Sequence, residues 1–146
     1  MKVILDSNVL LSALISPHSP PHLIYTALQK GRFELVSCTQ QIDEIRRASR
    51  YPKLQRILQG NRVGTLINNL NRTQLVEVSR QTDIDIADPH DAFLLAMAET
   101  ADADVLVTGD RRAGLLQIGS HGRTRIMAPA NFCGEILQIS DPEKRD

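Results

Sequence analysis

The sequence predicts an α/β protein: a three-layer sandwich with a mainly parallel central sheet flanked by helices. Three observations carry that expectation. Short apolar, β-branched segments alternate with segments of helical spacing along the chain. Prolines, glycines and capping residues fall between them. The 146 residues, 42% hydrophobic and 23% charged, suit a domain large enough to bury a core without disulfides or a structural metal. The expected domain covers residues 1–139, and the polar residues 140–146 read as a frayed tail.

Lys2-Val-Ile-Leu is the first strand, ending abruptly at Asp6-Ser-Asn, where a turn or helix begins. Beyond the proline-rich residues 16–21, His22 to Gln29 has helical spacing, with Gly31 as its stop. Phe33 to Ser37 is a second strand. Ser37 followed by Gln40 has the form of a capping box opening a helix to about Ser49. Pro52 restarts the chain, and helical stretches near Leu54–Gln59 and Val63–Asn71 lead to a strand around Leu75–Val78. Asp88-Pro89 joins an N-cap residue to a proline at the first helical position, ahead of a helix His90–Ala101. Asp104-Val-Leu-Val-Thr-Gly-Asp is a buried strand with a glycine exit. A strand at Arg125-Ile-Met and a helix near Ala130–Leu137 complete the pattern.

Seventeen Lys and Arg balance seventeen Asp and Glu, so nucleic-acid affinity must come from local charge. The two cysteines, Cys38 and Cys133, have no ligand-like spacing, which fits a reducing compartment and leads us to expect a cytoplasmic protein. Apolar runs such as Phe93–Ala98 fall short of the roughly 20 residues of a membrane span, and no signal peptide is expected.

Ligands of open parallel sheets bind beyond the carboxyl ends of the strands, which directs attention to Asp6 and Asp110, each immediately after an apolar strand. Strand-exit aspartates also serve as plain turn formers. Asp91 lies on one helical line with Leu95 and Ala98, so an acid there faces inward, although its place near a helix start also suits the helix dipole. Asp88 is read as the N-cap alone. On the helix after Ser37, with Ile42, Ile45 and Ala48 on the apolar face, Glu44 falls on the rim and Asp43 points away. Four carboxylates at one edge would repel and take up protons unless a cation neutralised them, and Mg²⁺ or Mn²⁺ suits an all-oxygen site. Such an ion can activate water against a phosphodiester.

The charge pattern points to an anionic polymer. Between Ile45 and Thr73 lie seven basic residues (Arg46, Arg47, Arg50, Lys53, Arg56, Arg62, Arg72) and no acid; from Glu77 to Asp110 there are nine acids and one arginine. A basic arm beside an acidic pocket can hold a phosphate backbone, with Arg46, Arg47, Arg50 and Lys53 as the candidates to do so. With two tyrosines and three phenylalanines, aromatic stacking is not expected to be the main source of affinity.

These residues resemble the PIN-domain ribonucleases, and more narrowly the VapC-like toxins of bacterial toxin–antitoxin pairs. The carriers are Val3-Ile-Leu-Asp-Ser-Asn-Val-Leu, Ser37 to Ile45 with Glu44, Asp88-Pro-His-Asp-Ala-Phe-Leu-Leu-Ala-Met-Ala, and Leu106-Val-Thr-Gly-Asp, over Val3 to about Leu137. The resemblance implies that Asp6, Glu44, Asp91 and Asp110 form an acidic cluster binding Mg²⁺ or Mn²⁺, with Asn8 supporting Asp6 and Thr108 steadying Asp110. It further implies hydrolysis of RNA by metal-activated water, a small antitoxin partner, and a homodimer or higher oligomer. Ser7 stands where the family commonly has threonine. Arg111 to Gly114 make the approach to Leu115-Leu116 slightly longer than usual, which bears on the geometry at Asp110.

Two other classes remain open on sequence grounds. Gly119-Ser-His-Gly-Arg123 resembles a fragment of the phosphate loop of universal-stress-type nucleotide-binding proteins, and glycine-rich backbone can cradle phosphate. A catalytically silent scaffold binding only a partner is the other. The four histidines, His18, His22, His90 and His121, are assigned no catalytic role.

Overall fold

The computed structural model describes residues 1–78, 88–109 and 114–139. Asp110, Arg111 to Ala113 and the polar tail from Ser140 lie outside the described residues. The chain runs β1 (Lys2–Leu5), α1 (Ser7–Ile15), α2 (Pro20–Gln29), β2 (Glu34–Ser37), α3 (Thr39–Ser49), α4 (Pro52–Gln55), α5 (Gly60–Asn71) and β3 (Gln74–Leu75). It continues with α6 (Pro89–Ala101), β4 (Val105–Val107), α7 (Leu115–Ile118), β5 (Ser120–His121), β6 (Thr124–Met127) and α8 (Pro129–Asn131), followed by a π-helix at Phe132–Leu137. The sheet order is β3-β2-β1-β4-β6-β5, parallel except for the β5–β6 pair. The predicted three-layer α/β architecture is present.

Alternation along each strand produces the layers, because successive side chains leave a strand on opposite faces. Val3, Leu5, Leu35, Val105, Val107 and Met127 enter one core with residues of α1, α2, α3 and α5. Ile4, Val36, Leu106 and Ile126 enter the other, against Leu94, Leu95, Met97 and Ala98 of α6 and Leu115 of α7. Leu95 is fully buried, and cutting it to alanine would cost about 2–5 kcal/mol.

Several local expectations need correction. Ser37 does not open a capping box: Cys38 is the N-cap of α3, with no side-chain cap bond. The Ser37 hydroxyl instead donates to Gln41 Oε1 at 2.6 Å, and Gln41 Nε2 donates to the Leu5 carbonyl at 2.7 Å. These groups are buried, so a tertiary partner for Gln41 outweighs a local cap. The helix expected at Leu54–Gln59 starts earlier and is only Pro52–Gln55, because proline supplies a ready first position. The strand expected at Leu75–Val78 pairs only at Gln74–Leu75. The last helix is split, with three α-helical residues passing into the π-helix. Gly31 does act as a stop beyond α2, at φ +74°, where its missing Cβ removes the strain of left-handed backbone.

From β1 the chain steps outward to β2 and β3, then returns to β4 on the other side and on to β6. The order therefore reverses between β1 and β4, and an open α/β sheet gathers its ligands beyond the strand ends at such a crevice. Asp6 N–H bonds the Val107 carbonyl at 2.9 Å, and Thr108 N–H bonds that of Met127 at 3.1 Å, which places both residues at that edge.

Candidate active site

Asp6 is the centre of the arrangement. It follows β1 directly, caps α1, and is 1% exposed. Its Oδ2 accepts the Thr108 hydroxyl at 2.9 Å, and its Oδ1 accepts the Asn8 backbone N–H at 3.3 Å. His90 Nε2 lies 3.2 Å from the same Oδ1. Burial pushes the Asp6 carboxyl up, but the hydrogen bond and positive charge of His90, with the Thr108 hydroxyl and Asn8 N–H, outweigh it and leave the acid below its usual value.

Glu44 reaches the same place from α3. Its Oε2 accepts the Ser7 hydroxyl at 3.3 Å, and its Oε1 lies 3.8 Å from His90 Nδ1, an ion-pair distance too long for a hydrogen bond. The Ser37–Gln41–Leu5 chain of bonds fixes α3 against the end of β1 and so sets where Glu44 falls. Asp43 turns to solvent and pairs with Arg46 at 3.4 Å.

Asp91 comes from the first turn of α6 and is 1% exposed. Asp88 is the N-cap, its Oδ1 accepting His90 N–H at 2.8 Å and Asp91 N–H at 3.3 Å. Asp6, just after β1, and Glu44 on α3 flank one imidazole, and Asp91 on α6 adds its negative charge. The Asp6 hydrogen bond, opposed by partial burial and reinforced by the charges of Asp6, Glu44 and Asp91, pushes His90 up to about 9. At neutral pH the ring is an imidazolium, with Nε2 donating to Asp6 and the Nδ1 side facing Glu44 as an ion pair.

His90 is the residue that sequence reasoning passed over. No local signal marks it, because the acids that give the ring its charge come from residues 6 and 44. Asn8 supports Asp6 through its backbone N–H, while its side chain is exposed. The Thr108 hydroxyl reaches Asp6; the steadying of Asp110 expected of it concerns a residue outside the described set. Arg46, Arg47 and Arg50 lie on the exposed side of α3, and Lys53 on α4 is exposed.

Among the described residues no group of three or more His, Cys, Asp or Glu side chains is arranged to hold a metal ion; the His90 ring stands between Asp6 and Glu44. The donor set nonetheless suits a hard cation, since three acidic residues already gather around one positive charge.

The PIN-domain family model matches residues 2–112. The chain belongs to the PIN-domain family. The match runs from β1 past β4 and takes in Asp6, Glu44, Asp91 and Asp110. PIN domains are typically nucleases that bind RNA and generally use divalent metal ions. Comparison with curated proteins and with solved structures finds no significant match. No helix among the described residues of this PIN domain is long and apolar enough to cross a membrane.

The glycine-rich motif near residue 120 forms a hairpin turn. Gly119 ends α7, and Gly122, at φ +59°, begins the two-residue turn of the β5–β6 hairpin. His121 pairs with Glu99 at 2.6 Å, and Arg123 pairs with Asp102 at 3.2 Å and with Asp104. Its basic side chains thus already meet carboxylates, and the turn lies at the end of the sheet opposite Asp6.

Proposed function

We propose that this PIN domain is a metal-dependent endoribonuclease, the toxin of a toxin–antitoxin pair. The observation that carries the nuclease reading is the buried Asp6 at the switch point, facing Glu44 across an imidazolium that three acidic residues push up to about 9. Asp6, Glu44 and Asp91, with Asp110, would hold Mg²⁺ or Mn²⁺. When bound, such an ion lowers the pKa of a water molecule and neutralises a phosphate. Thr108 and the Asn8 N–H orient the Asp6 carboxylate, and Ser7 orients that of Glu44. Arg46, Arg47, Arg50 and Lys53 would hold the RNA backbone as point charges beside the acids.

The toxin assignment rests on the motif likeness, and brings with it a small antitoxin partner, a homodimer or higher oligomer, and a cytoplasmic setting. A small open reading frame adjoining the gene is its first test. For the nuclease itself, wild type, Asp6→Asn and Asp91→Asn are compared on a mixed RNA pool with Mn²⁺ and with EDTA. Cleavage by wild type with Mn²⁺ alone is expected; equal cleavage by all three proteins would sink the reading. A second readout needs no turnover. A divalent ion and the His90 proton are drawn to the same negative charge, so Mg²⁺ should lower the His90 pKa seen by NMR from about 9.

A further inference from the structure

We propose that Tyr51 is a base-stacking platform for single-stranded RNA, just past the end of the helix α3 that carries Glu44 and an arginine-lined groove. This rests on the nuclease reading above and adds to it the residue that fixes where along the strand the acids act.

The first support is exposure. Of the chain's five aromatic rings, Tyr25, Phe33 and Phe132 are buried in the core and Phe93 is partly buried, packed against the other core. Tyr51 alone is open, 61% exposed. A single exposed apolar residue is ordinary, so exposure by itself decides nothing. Its fixation and surroundings do.

Pro52 follows it, and the helical region is disfavoured for a residue before proline. Tyr51 accordingly takes φ −63° and ψ 134° and caps α4. Its backbone is pinned on both sides: its N–H bonds the Ala48 carbonyl at 3.2 Å, and its carbonyl accepts Leu54 N–H and Gln55 N–H, both at 2.9 Å. The ring therefore projects from a rigid mount, and stacking it costs little ordering of the backbone.

The third support is charge and position. Tyr51 stands two residues past the end of α3, and Glu44 and Arg47 lie one turn apart on that helix. Beside it an open groove of about 470 Å³ is lined by Gln40, Asp43, Arg46, Arg47 and Arg50. Arg46 is engaged by Asp43, whereas Arg47, Arg50 and Lys53 meet no carboxylate among the described residues. Cations flanking an exposed aromatic are the composition of a single-strand binding surface: charges follow phosphates, and the ring takes a base of any identity. The low aromatic content still argues against stacking as the bulk of the affinity; one platform sets register.

Binding of a labelled single-stranded oligonucleotide is measured in EDTA for wild type, Tyr51→Ala and Tyr51→Phe, and cleavage positions are mapped with Mn²⁺. Tyr51→Ala should bind about 10-fold more weakly with an unchanged salt slope, because no charge is removed. Its cleavage pattern should shift or blur. Tyr51→Phe should behave as wild type. Unchanged affinity and pattern in Tyr51→Ala would overturn the proposal, and so would a loss of self-association in sedimentation with RNA binding intact, which would make Tyr51 a protein contact. Wild type that neither binds nor cleaves RNA would instead remove the nuclease reading and this inference with it.

Discussion

The two ends of the parallel sheet both carry aspartates paired with cations, yet they differ in every property that matters for chemistry. At the amino end, Asp104 accepts the Lys2 N–H at 2.7 Å and pairs with Arg123. Arg123 also reaches Asp102, and His121 reaches Glu99. The Lys2 bond first, against slight burial and with help from Arg123, holds Asp104 below the usual carboxylate range. These groups stand in solvent, where water and salt screen them and each charge already has its partner. At the carboxyl end, Asp6 is buried, its partner His90 is half-buried, and three acids share one imidazolium. At the first site each acid meets a basic group in solvent; the second gathers its acids around a single imidazolium in a buried crevice, an excess of negative charge that another cation can offset. Lowered carboxylates occur at both, so a low pKa alone does not identify a functional site; the imbalance in a buried crevice does.

The strongest way to break this contrast is to neutralise one aspartate at each end. Asp6→Asn should reduce metal-dependent cleavage by about 10³-fold, while Asp104→Asn leaves the rate within about twofold because it touches no reacting group. Comparable losses in single-turnover assays would dissolve the distinction. Thr108→Val comes next: it keeps the shape and removes the hydroxyl that orients Asp6. A drop of about 10–100-fold in cleavage is expected, as for other groups that aim a metal ligand, with unaltered circular dichroism.

A pH series sharpens the comparison with a smaller effect. His90 is raised from 6.5 to about 9, so its pairing stabilises the metal-free fold fully below pH 6.5 and the contribution is lost as pH rises through about 9. Asp6 is lowered, so its contribution is present above 3.8 and disappears as pH falls through its lowered value. Melting temperature in EDTA should therefore decline on the alkaline side, and His90→Gln should flatten that decline. A curve unchanged by the substitution would show that the pair does not act as described. The smallest effect belongs to Arg123→Ala, for which the melting temperature should shift slightly at low salt and not at all at high salt.

Local signals made much of the site legible. The strand running into Asp6 and the Asp88-Pro89 cap ahead of Asp91 depend on neighbours in sequence, and the structure has both features. His90 was missed because its character comes from Asp6, 84 residues away, and from Glu44, and no local pattern encodes that meeting. Ser37 misled for the same reason, since Gln41 is held by the Leu5 carbonyl from another strand. The π-helix is invisible to a helical pattern because i→i+5 bonding widens the turn without changing residue types. Asp110, the fourth expected acid, lies outside the described residues.

The amide of Gln41 has a consequence for how the surface of this PIN domain can vary. Twisting or sliding α3 would strand the Ser37 hydroxyl, the Gln41 side chain and the Leu5 carbonyl away from water, at about 1–3 kcal/mol for each orphaned group. The helix that carries Glu44 and the exposed arginines is thereby bolted to the strand that leads into Asp6. Arginines on its outer side can be gained, lost or exchanged through evolution without re-aiming Glu44, leaving selectivity adjustable around a fixed reaction centre.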